Sequence, residues 1–407
     1  MNTNCKFNEE IEVLNKFMFK RIIFNVLILI TIIQQMPIIK DIFYDKIRLF
    51  LYISFGLISF ISFLNINKFF KIKFIKYYIF TLLYSLILFI INNTFSNISF
   101  NIFELTIPFG ILISSMNINY SRRQLSNLLF WYILLSAILG ISSIFYYGQG
   151  FSITRNYFLT AKNQIGPILG IATIILGIWI LDEKQFDIKF NRLIFKLILL
   201  FMLLASILTI RNRSGLLGIF IVLIIMLTKE YKFKRNIRNI LILFSVFFAL
   251  FILTLLGVLD GVADYIYKSI FLNYNISDLN SVSAGRIYGY KLAFRFLMDY
   301  PILGQLETGE ILQFTPHNYI LNKWVKFGVI GSLPFILFYL YLYIFTIKSI
   351  YKSNNRIKFS LYLWVLLFSL IVSIFEYTYP YGPGVSQVMT WFLLGQFFNN
   401  TQNNYFI

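Results

Sequence analysis

Residues 193–228 read LIFKLILLFMLLASILTIRNRSGLLGIFIVLIIMLT, an apolar stretch interrupted mainly by Arg211 and Arg213. An apolar run of about 20 residues can cross a bilayer as a helix, because each residue advances the helix by about 1.5 Å and the hydrocarbon core is about 30 Å thick. The two arginines leave one such run on each side. The stretch therefore predicts two successive transmembrane helices joined by a short charged turn.

The rest of the chain has the same character. It contains 407 residues, of which 58% are hydrophobic and 13% are charged, against about 25% charged residues in soluble domains. This composition excludes a water-soluble globule. It predicts a single all-α membrane domain over residues 1–407, a polytopic transmembrane helical bundle of about 12 spans, within a range of roughly 10 to 13. The predicted spans are residues 22–39, 47–64, 74–91, 100–116, 127–147, 164–181, 193–210, 214–228, 239–258, 327–347, 359–375 and 385–398.

Basic residues indicate the orientation of the bundle. The net charge is +19, but the 36 Lys and Arg residues fall in short clusters between apolar runs, so nucleic acid is not expected as a partner. With a cytoplasmic N-terminus, 23 of them lie in inside segments and 13 outside, and six of those 13 belong to one long loop that the positive-inside rule does not count. The balance of 23 to 7 predicts cytoplasmic termini at residues 1–21 and 399–407.

Metal and disulfide chemistry is not expected. Cys5 is the only cysteine and His317 is the only histidine. A disulfide framework needs paired cysteines, and zinc or iron–sulfur sites need several thiolates and imidazoles. We therefore expect no metal and no other cofactor, and a chemistry based on oxygen, nitrogen and charge.

One predicted connection, residues 260–326, is far longer than the others, and connections of this length are usually functional or disordered. Its stretch RIYGYKLAFRFLMDYPILG, at residues 286–304, has apolar side chains at roughly helical spacing with basic residues between them. This pattern predicts a helix on or partly in the outer leaflet that ends at Pro301. Such a helix could contribute to a site, or it could only cap the bundle.

His317 lies shortly before the chain re-enters the membrane, in TPHNYILNKWVKFGVIG at residues 315–331. Imidazole titrates near neutral pH, so a lone histidine at this surface is a candidate general base. The alternative is an ordinary polar residue at the interface. Gly328 and Gly331 also have a plain explanation, since small residues allow close helix packing in bilayers.

Arg211 and Arg213 lie on the same outer face, where positive charge is disfavoured. Charges near lipid are costly and usually face a wet cavity or an anionic partner, although an arginine can also snorkel to the headgroups. A planar guanidinium suits phosphate oxygens. Together with Arg286 and Lys291 of the long loop, these arginines predict an outward-facing anion site, for which a lipid-linked diphosphate is the leading candidate.

Three further candidate residues lie on this face. Lys162 and Asn163 precede the sixth predicted span, where a cation and an amide can bind a phosphate or sugar hydroxyls, or can merely cap the helix. No pair of outside carboxylates has a spacing that identifies glycosidase-like acid–base chemistry. Among these carboxylates, we single out Glu376, at the outer end of the eleventh predicted span.

These motifs resemble, in order and spacing, those of the bacterial O-antigen polymerase and O-antigen ligase superfamily. The strongest match is His317 and Asn318, nine residues, Gly328, two residues and Gly331, which follows the pattern H-[NSQ]-x9-G-x-x-[GTY]. The resemblance covers about residues 155–335. There are three shorter matches. The first is Gly285 and Arg286, followed by Pro301 and Gly304. The second is Arg213 in the stretch NRSG, where Asn212 replaces the usual serine, and the third is Asn163 in the stretch AKNQIG.

The resemblance implies a GT-C-like, multi-span glycosyltransferase of the bacterial inner membrane with its active site facing the periplasm or exterior. Its donor would be a glycan on undecaprenyl diphosphate, its acceptor another lipid-linked unit, and a chain-length regulator a further partner beside the bilayer. Fixed guanidinium groups would stabilise charge on the leaving diphosphate. The resemblance gives His317 the role of catalytic base. It makes Arg213, Arg286 and Arg211 the residues that bind the diphosphate. The supporting residues would be Asn318, Asn163, Lys162, Lys291 and Glu376.

Several functions are compatible with these residues. Within the family, we favour the polymerase over the ligase that transfers glycan to lipid A-core, because the chain diverges outside the motifs and its outer basic cluster is modest for a heavily phosphorylated core. A flippase for lipid-linked oligosaccharides would need charges deep within several spans, whereas most charges here collect at span ends, with Glu104 as the main exception. A scaffolding membrane protein gives no reason for His317 and the arginines to share one surface.

Overall fold

The protein is described by a computed structural model. The described residues are 19–63, 70, 72–95, 103–148, 155–183, 186–188, 192–210, 212–230, 280, 283, 285–308, 315–352, 360–382 and 384–404. Within these ranges the chain is all-helical, with 86% helix and no strand. The predicted all-α class is therefore confirmed for the described part of the chain.

We number the helices α1 to α13 in chain order. The first of them covers residues 19–33. The others are α2 Pro37–Phe63, α3 Lys73–Phe95, α4 Phe103–Met116, α5 Arg122–Gly148, α6 Arg155–Leu181, α7 Leu193–Thr209, α8 Arg213–Glu230, α9 Arg286–Asp299, α10 Gln305–Thr308, α11 Tyr319–Lys352, α12 Ser360–Val372 and α13 Val388–Asn404. A 3₁₀ turn over Val385–Gln387 precedes α13.

Five of these helices are long and apolar enough to cross a membrane, by length and composition. They contain the stretches Pro37–Phe63, Lys73–Ile91, Arg122–Tyr146, Asn163–Leu181 and Tyr319–Tyr351. Four shorter apolar stretches are Phe103–Met116, Leu193–Thr209, Arg213–Met226 and Leu361–Val372. These helices are compatible with a membrane protein. The predicted span 239–258 lies outside the described residues, and the count of twelve spans stays a prediction.

The first two predicted spans, 22–39 and 47–64, have different boundaries in the structure. The first helix ends at residue 33, two buried glutamines follow it, and α2 begins at Pro37, ten residues before the predicted position. Proline is well suited to the first position of a helix, because it has no N–H group to leave unpaired there. The apolar run that predicted the first span therefore continues through a turn between two helices, and Pro37 marks the start of the second helix.

Helix α6 lies at the centre of the packing, and small residues bring its neighbours close. It packs against α5, α7, α8 and α12. The ring of Phe368 on α12 fills the space left by Gly170 on α6 and Gly218 on α8, since a Cβ at these glycines would lie 2.2 and 2.9 Å from the ring. Close approach at small residues is a usual way to pack helices in a bilayer.

Helix α11 is divided at Gly328, where the chain from α9 returns to it. Gly328 has φ of 64° and ψ of −173°, a left-handed conformation that favours glycine. The break is filled by the turn after α9: Val329 N–H donates to the Pro301 carbonyl at 2.8 Å, and a Cβ at Gly328 would lie 2.1 Å from the Ile302 carbonyl oxygen. Gly328 of the sequence motif thus gives the turn at residues 301–304 a place to pack against α11. This role differs from the close packing of helices that small residues usually allow.

Gly328→Ala is expected to destabilise the protein by about 2 kcal/mol or more, because it combines an unfavourable backbone conformation with a clash against backbone. The measurement is thermal unfolding of the detergent-solubilised protein. Gly289→Ala is the matched control, since a Cβ at Gly289 on α9 would meet no atom within 4 Å. Equal melting temperatures for the two variants would contradict this account of the break.

Candidate active site

A buried carboxylate, that of Glu376, lies at the centre of the candidate site. It follows α12, and its backbone N–H donates to the Val372 carbonyl at 2.9 Å, which extends helical bonding just beyond the end of that helix. The side chain is only 5% exposed. A carboxylate at this depth needs hydrogen bonds or a paired cation, so its neighbours define the site.

Three side chains from three other segments converge on this carboxylate. A guanidinium nitrogen of Arg286 lies 3.0 Å from Oε1. Asn163 Nδ2 donates to Oε2 at 3.4 Å, and His317 Nδ1 lies 3.6 Å from the same oxygen. The structure thus brings together four of the predicted site residues, although Asn163 and Glu376 are 213 positions apart in the chain.

Arg286 is the first residue of α9, and the turn before this helix fixes its position. Gly285 has φ of 81°, again a left-handed conformation that favours glycine. Asn280 Oδ1 accepts a hydrogen bond from the Tyr288 N–H at 2.9 Å, which satisfies one of the N–H groups that a helix start leaves unpaired. The Gly-Arg pair of the sequence is therefore a helix start that directs a guanidinium towards Glu376.

His317 is positioned through its backbone and through Asn318. The Tyr290 hydroxyl donates to the His317 carbonyl at 3.2 Å. Asn318 Nδ2 donates to the Ile374 carbonyl at 3.1 Å, and its Oδ1 accepts from the Leu321 N–H at 3.0 Å, as an N-cap of α11 does. Asn318 therefore anchors the start of α11 to the segment after α12, and this anchor sets the position of the histidine.

The imidazole of His317 has one buried edge and one accessible edge. Among the described residues, Nδ1 is buried without a hydrogen-bond partner, while the side chain as a whole is 41% exposed. The exposed part of the side chain therefore lies away from Nδ1. A carboxylate beside Nδ1 leaves Nε2 as the nitrogen that can act as a general base, and long separations in a free enzyme can shorten when substrate binds.

Two tyrosines beside the cluster remain neutral hydrogen-bonding groups. Burial raises the pKa of the Tyr290 phenol, against the lowering effect of Arg286 and together with the raising effect of Glu376. Burial also raises the pKa of Tyr377, whose ring centroid lies 6.1 Å from that of His317, and the nearby carboxylates raise it further. Both phenols thus keep their protons at neutral pH, and neither competes with the imidazole for the role of base.

Arg213 begins α8, and the residue before it explains its position. Asn212 is buried, and its Oδ1 accepts a hydrogen bond from the Gly215 N–H at 2.6 Å. Its side chain lies against Gly166, about one turn along α6 from Asn163, where a Cβ would be 2.2 Å away. Asparagine and serine are both good N-caps, so Asn212 supplies the cap that a serine would. Arg213 therefore starts its helix near the turn that contributes Asn163.

The structure describes the other predicted site residues less fully. Arg211 lies outside the described residues, and only the backbone of Lys162 is described, within α6. Lys291 is exposed on α9, five residues after Arg286. The assembly of a diphosphate site from these cations with Arg213 therefore stays a prediction, and Arg286 is the member whose contacts are defined.

A second ionic contact was not anticipated as a pair from the sequence. Lys323 Nζ lies 2.7 Å from Glu104 Oε2, and the lysine side chain is 2% exposed. The ammonium group also lies 5.1 Å from the centre of the Phe335 ring and 5.4 Å from that of Tyr319, within range of cation–π attraction. Glu104 was recognisable as an unusual charge within an apolar run, but its partner is 219 residues away and only the fold identifies it.

A scan against protein-family models finds no match for this chain, and a search of curated proteins also finds none.

Lys323→Met is expected to destabilise the protein by about 3 to 5 kcal/mol, because it leaves the Glu104 carboxylate buried without its cation. The double variant Lys323→Met with Glu104→Gln should recover most of this loss, since no uncompensated charge remains. Thermal unfolding in detergent measures both effects. Asp45→Asn, which breaks the exposed pair with Arg48, should change stability little. A double variant as unstable as the single one would contradict the pairing.

Proposed function

We propose that this protein is a metal-independent glycosyltransferase that polymerises O-antigen or a related surface polysaccharide. In this reaction, a hydroxyl oxygen of one lipid-linked repeat unit bonds to the anomeric carbon of a glycan carried on undecaprenyl diphosphate. The bond between that carbon and the diphosphate oxygen breaks, and undecaprenyl diphosphate leaves with the electron pair. The hydroxyl proton passes to His317 Nε2.

The observation that supports this proposal most strongly is the meeting of Arg286 and His317 on the two oxygens of one buried carboxylate. A group-transfer site needs a fixed cation where charge develops and a base near the attacking atom. Here Glu376 pairs with the Arg286 guanidinium at 3.0 Å and lies 3.6 Å from the His317 imidazole. A purely structural ion pair would need Arg286 and Glu376 but would give no reason for the imidazole.

Arg286 can stabilise the leaving diphosphate while it remains paired with Glu376. A guanidinium carries five N–H donors, and the contact with Oε1 at 3.0 Å uses one nitrogen. The side chain is 25% exposed, so other donors remain accessible to phosphate oxygens. Charge on the diphosphate increases as the sugar–phosphate bond breaks, and a fixed cation therefore stabilises the transition state more than the ground state. Arg213 and Arg211 would add further positive charge.

Glu376 is a positioning residue in this scheme. Its Oε2 faces Nδ1 of His317, which favours the tautomer and orientation that leave Nε2 free to accept a proton. It also stabilises the imidazolium that forms after proton transfer. Asn163, which donates to Oε2, keeps the carboxylate in place from α6.

The cellular setting belongs to the same proposal. The site would face the exterior of a bacterial inner membrane, with both termini in the cytoplasm, and the complete chain would form a GT-C-like bundle of about twelve spans. Orientation is supported by the excess of basic residues in the predicted inside segments. Donor and acceptor would both arrive within the outer leaflet, with a chain-length regulator as a further partner.

His317→Ala and Arg286→Ala are each expected to reduce polymerisation by about 100-fold or more, because they remove the base and the charge that stabilises the leaving group. The measurement is the glycan ladder of cells that lack the protein and carry each variant at matched membrane levels. Arg295→Ala is the control, since Arg295 is exposed on the same helix as Arg286.

The pattern of the ladder separates this proposal from its alternatives. If the protein is a polymerase, cells with an inactive variant lose the long glycan chains and retain single capped units. Loss of all attachment with polymer still on the lipid carrier would indicate a ligase, and accumulation of cytoplasm-facing precursor would indicate a flippase. Either pattern, or a wild-type ladder from His317→Ala, contradicts the proposal.

Glu376→Gln is expected to slow polymerisation on the order of 100-fold while the protein still inserts, because the amide keeps the size of the carboxylate but lacks the charge that pairs with Arg286 and stabilises the imidazolium once it forms. Initial rates of chain extension in isolated membranes measure the loss. Glu307→Gln, at an exposed carboxylate of the neighbouring α10, is the matched control and should extend chains at the wild-type rate. Equal rates for the two variants would remove Glu376 from the mechanism.

A further inference from the structure

A cleft is bordered in part by the segment that joins α12 to α13, which also carries Glu376 of the candidate active site. It has about 490 Å³ of empty volume, counting its open mouth. Its lining comes from the turn after the first helix, from one face of α2, and from Ile107, Gln164, Gly384, Val385 and Val388. Gln164 is the neighbour of Asn163, which contacts Glu376, so the cleft and the active site share one turn of α6.

The lining of the cleft contains an unpaired polar atom. Gln34 is fully buried, and its Nε2 donates to the Tyr44 carbonyl at 3.2 Å, which fixes the orientation of the amide. Among the described residues, Gln34 Oε1 has no hydrogen-bond partner. A buried amide oxygen is unfavourable without a donor, and the Gln34 side chain borders the cleft, so a ligand hydroxyl that enters beside this amide would satisfy it.

Two further polar features face the same space. Gln164 Oε1 accepts a hydrogen bond from the Ser386 hydroxyl at 3.2 Å. Gly384 allows two amide oxygens to approach the backbone at this part of the lining, since a Cβ there would lie 3.0 Å from Gln164 Oε1 and 2.4 Å from Gln387 Oε1. Amides from two distant parts of the chain therefore border one opening, which is the arrangement of a few placed polar groups that ligand sites usually have.

Aromatic side chains of α2 also line the cleft. Tyr44, Tyr52 and Phe55 lie on one face of α2, at spacings of eight and three residues. The Tyr52 ring stacks on that of Phe103 at 6.0 Å, which holds it in place. Flat aromatic rings combined with amide groups recognise sugars well, because the C–H face of a pyranose packs on a ring while its hydroxyls bond to amides.

We propose that this cleft binds a sugar residue of the acceptor, held by Gln34 and Gln164 against the tyrosines of α2. This assignment rests on the proposed function for its role, since the bound glycan would present a hydroxyl towards His317. The cleft suits a hydroxyl-rich, uncharged ligand, because Arg48 at its lining is paired with Asp45 at 3.1 Å. The affinity of the cleft for sugar can be measured independently of catalysis.

The first experiment measures sugar binding by saturation-transfer NMR on the full chain in phospholipid nanodiscs. The probes are the methyl glycosides of glucose, galactose and N-acetylglucosamine. At least one should bind the wild type, and Gln34→Met should weaken that binding about fivefold to tenfold, the effect of one lost hydrogen bond. Gln35→Met is the matched control: Gln35 is equally buried with an unpaired amide but does not line the cleft.

Further variants test occupancy and separate the two proposals. Val385→Trp, which fills the cleft, should abolish glycoside binding without lowering the melting temperature as Gly328→Ala does. His317→Ala should retain it. Absence of binding by all three probes, equal binding by Gln34→Met and wild type, or release of a phospholipid by Val385→Trp would overturn the sugar assignment. Glycoside binding that depends on Gln34, together with a normal ladder from His317→Ala, would instead overturn the polymerase alone.

Discussion

A carboxylate buried within an apolar bundle must be compensated by its neighbours, and the fold around Glu376 meets this requirement. The neighbouring groups come from α6, from the start of α9 and from His317, two residues before α11, at 3.4, 3.0 and 3.6 Å. Because each group belongs to a different segment, the one carboxylate links α6 to the start of α9 by direct contacts and lies beside the imidazole. The geometry of this cluster is thus a condition of stability, whatever chemistry the cluster performs.

Local interactions place each segment so that this convergence is possible. Asn318 caps α11 and bonds to the Ile374 carbonyl, two residues before Glu376. Asn212 caps α8 against Gly166 of α6. The same kind of interaction, an asparagine at a helix start that also contacts a neighbouring helix, therefore positions two of the elements around the site. Short polar side chains are effective here because they satisfy backbone groups that lipid cannot.

The sequence predicted those parts that depend on local pattern. Apolar runs predicted most of the described helices, the period of residues 286–300 predicted α9, and four predicted residues meet at Glu376. Parts that depend on distant partners could not be predicted. The partner of Glu104, the cleft beside Gln34 and the break at Gly328 each require a contact across many residues, and hydropathy carries no information about which helices become neighbours.

The nine residues between Asn318 and Gly328 are held at both ends, at one by the Ile374 carbonyl and at the other by the turn at residues 301–304. Nine helical residues advance about 13.5 Å and make about two and a half turns. They therefore set a fixed distance and a fixed rotation about the helix axis between Asn318 and Gly328. One inserted residue would rotate one end by about 100° relative to the other. Either the His317 imidazole would turn away from the Glu376 carboxylate, or a residue with a side chain would take the place of Gly328 at the break in α11. The number of residues between Asn318 and Gly328 is thus constrained by geometry, whichever residues occupy those nine positions.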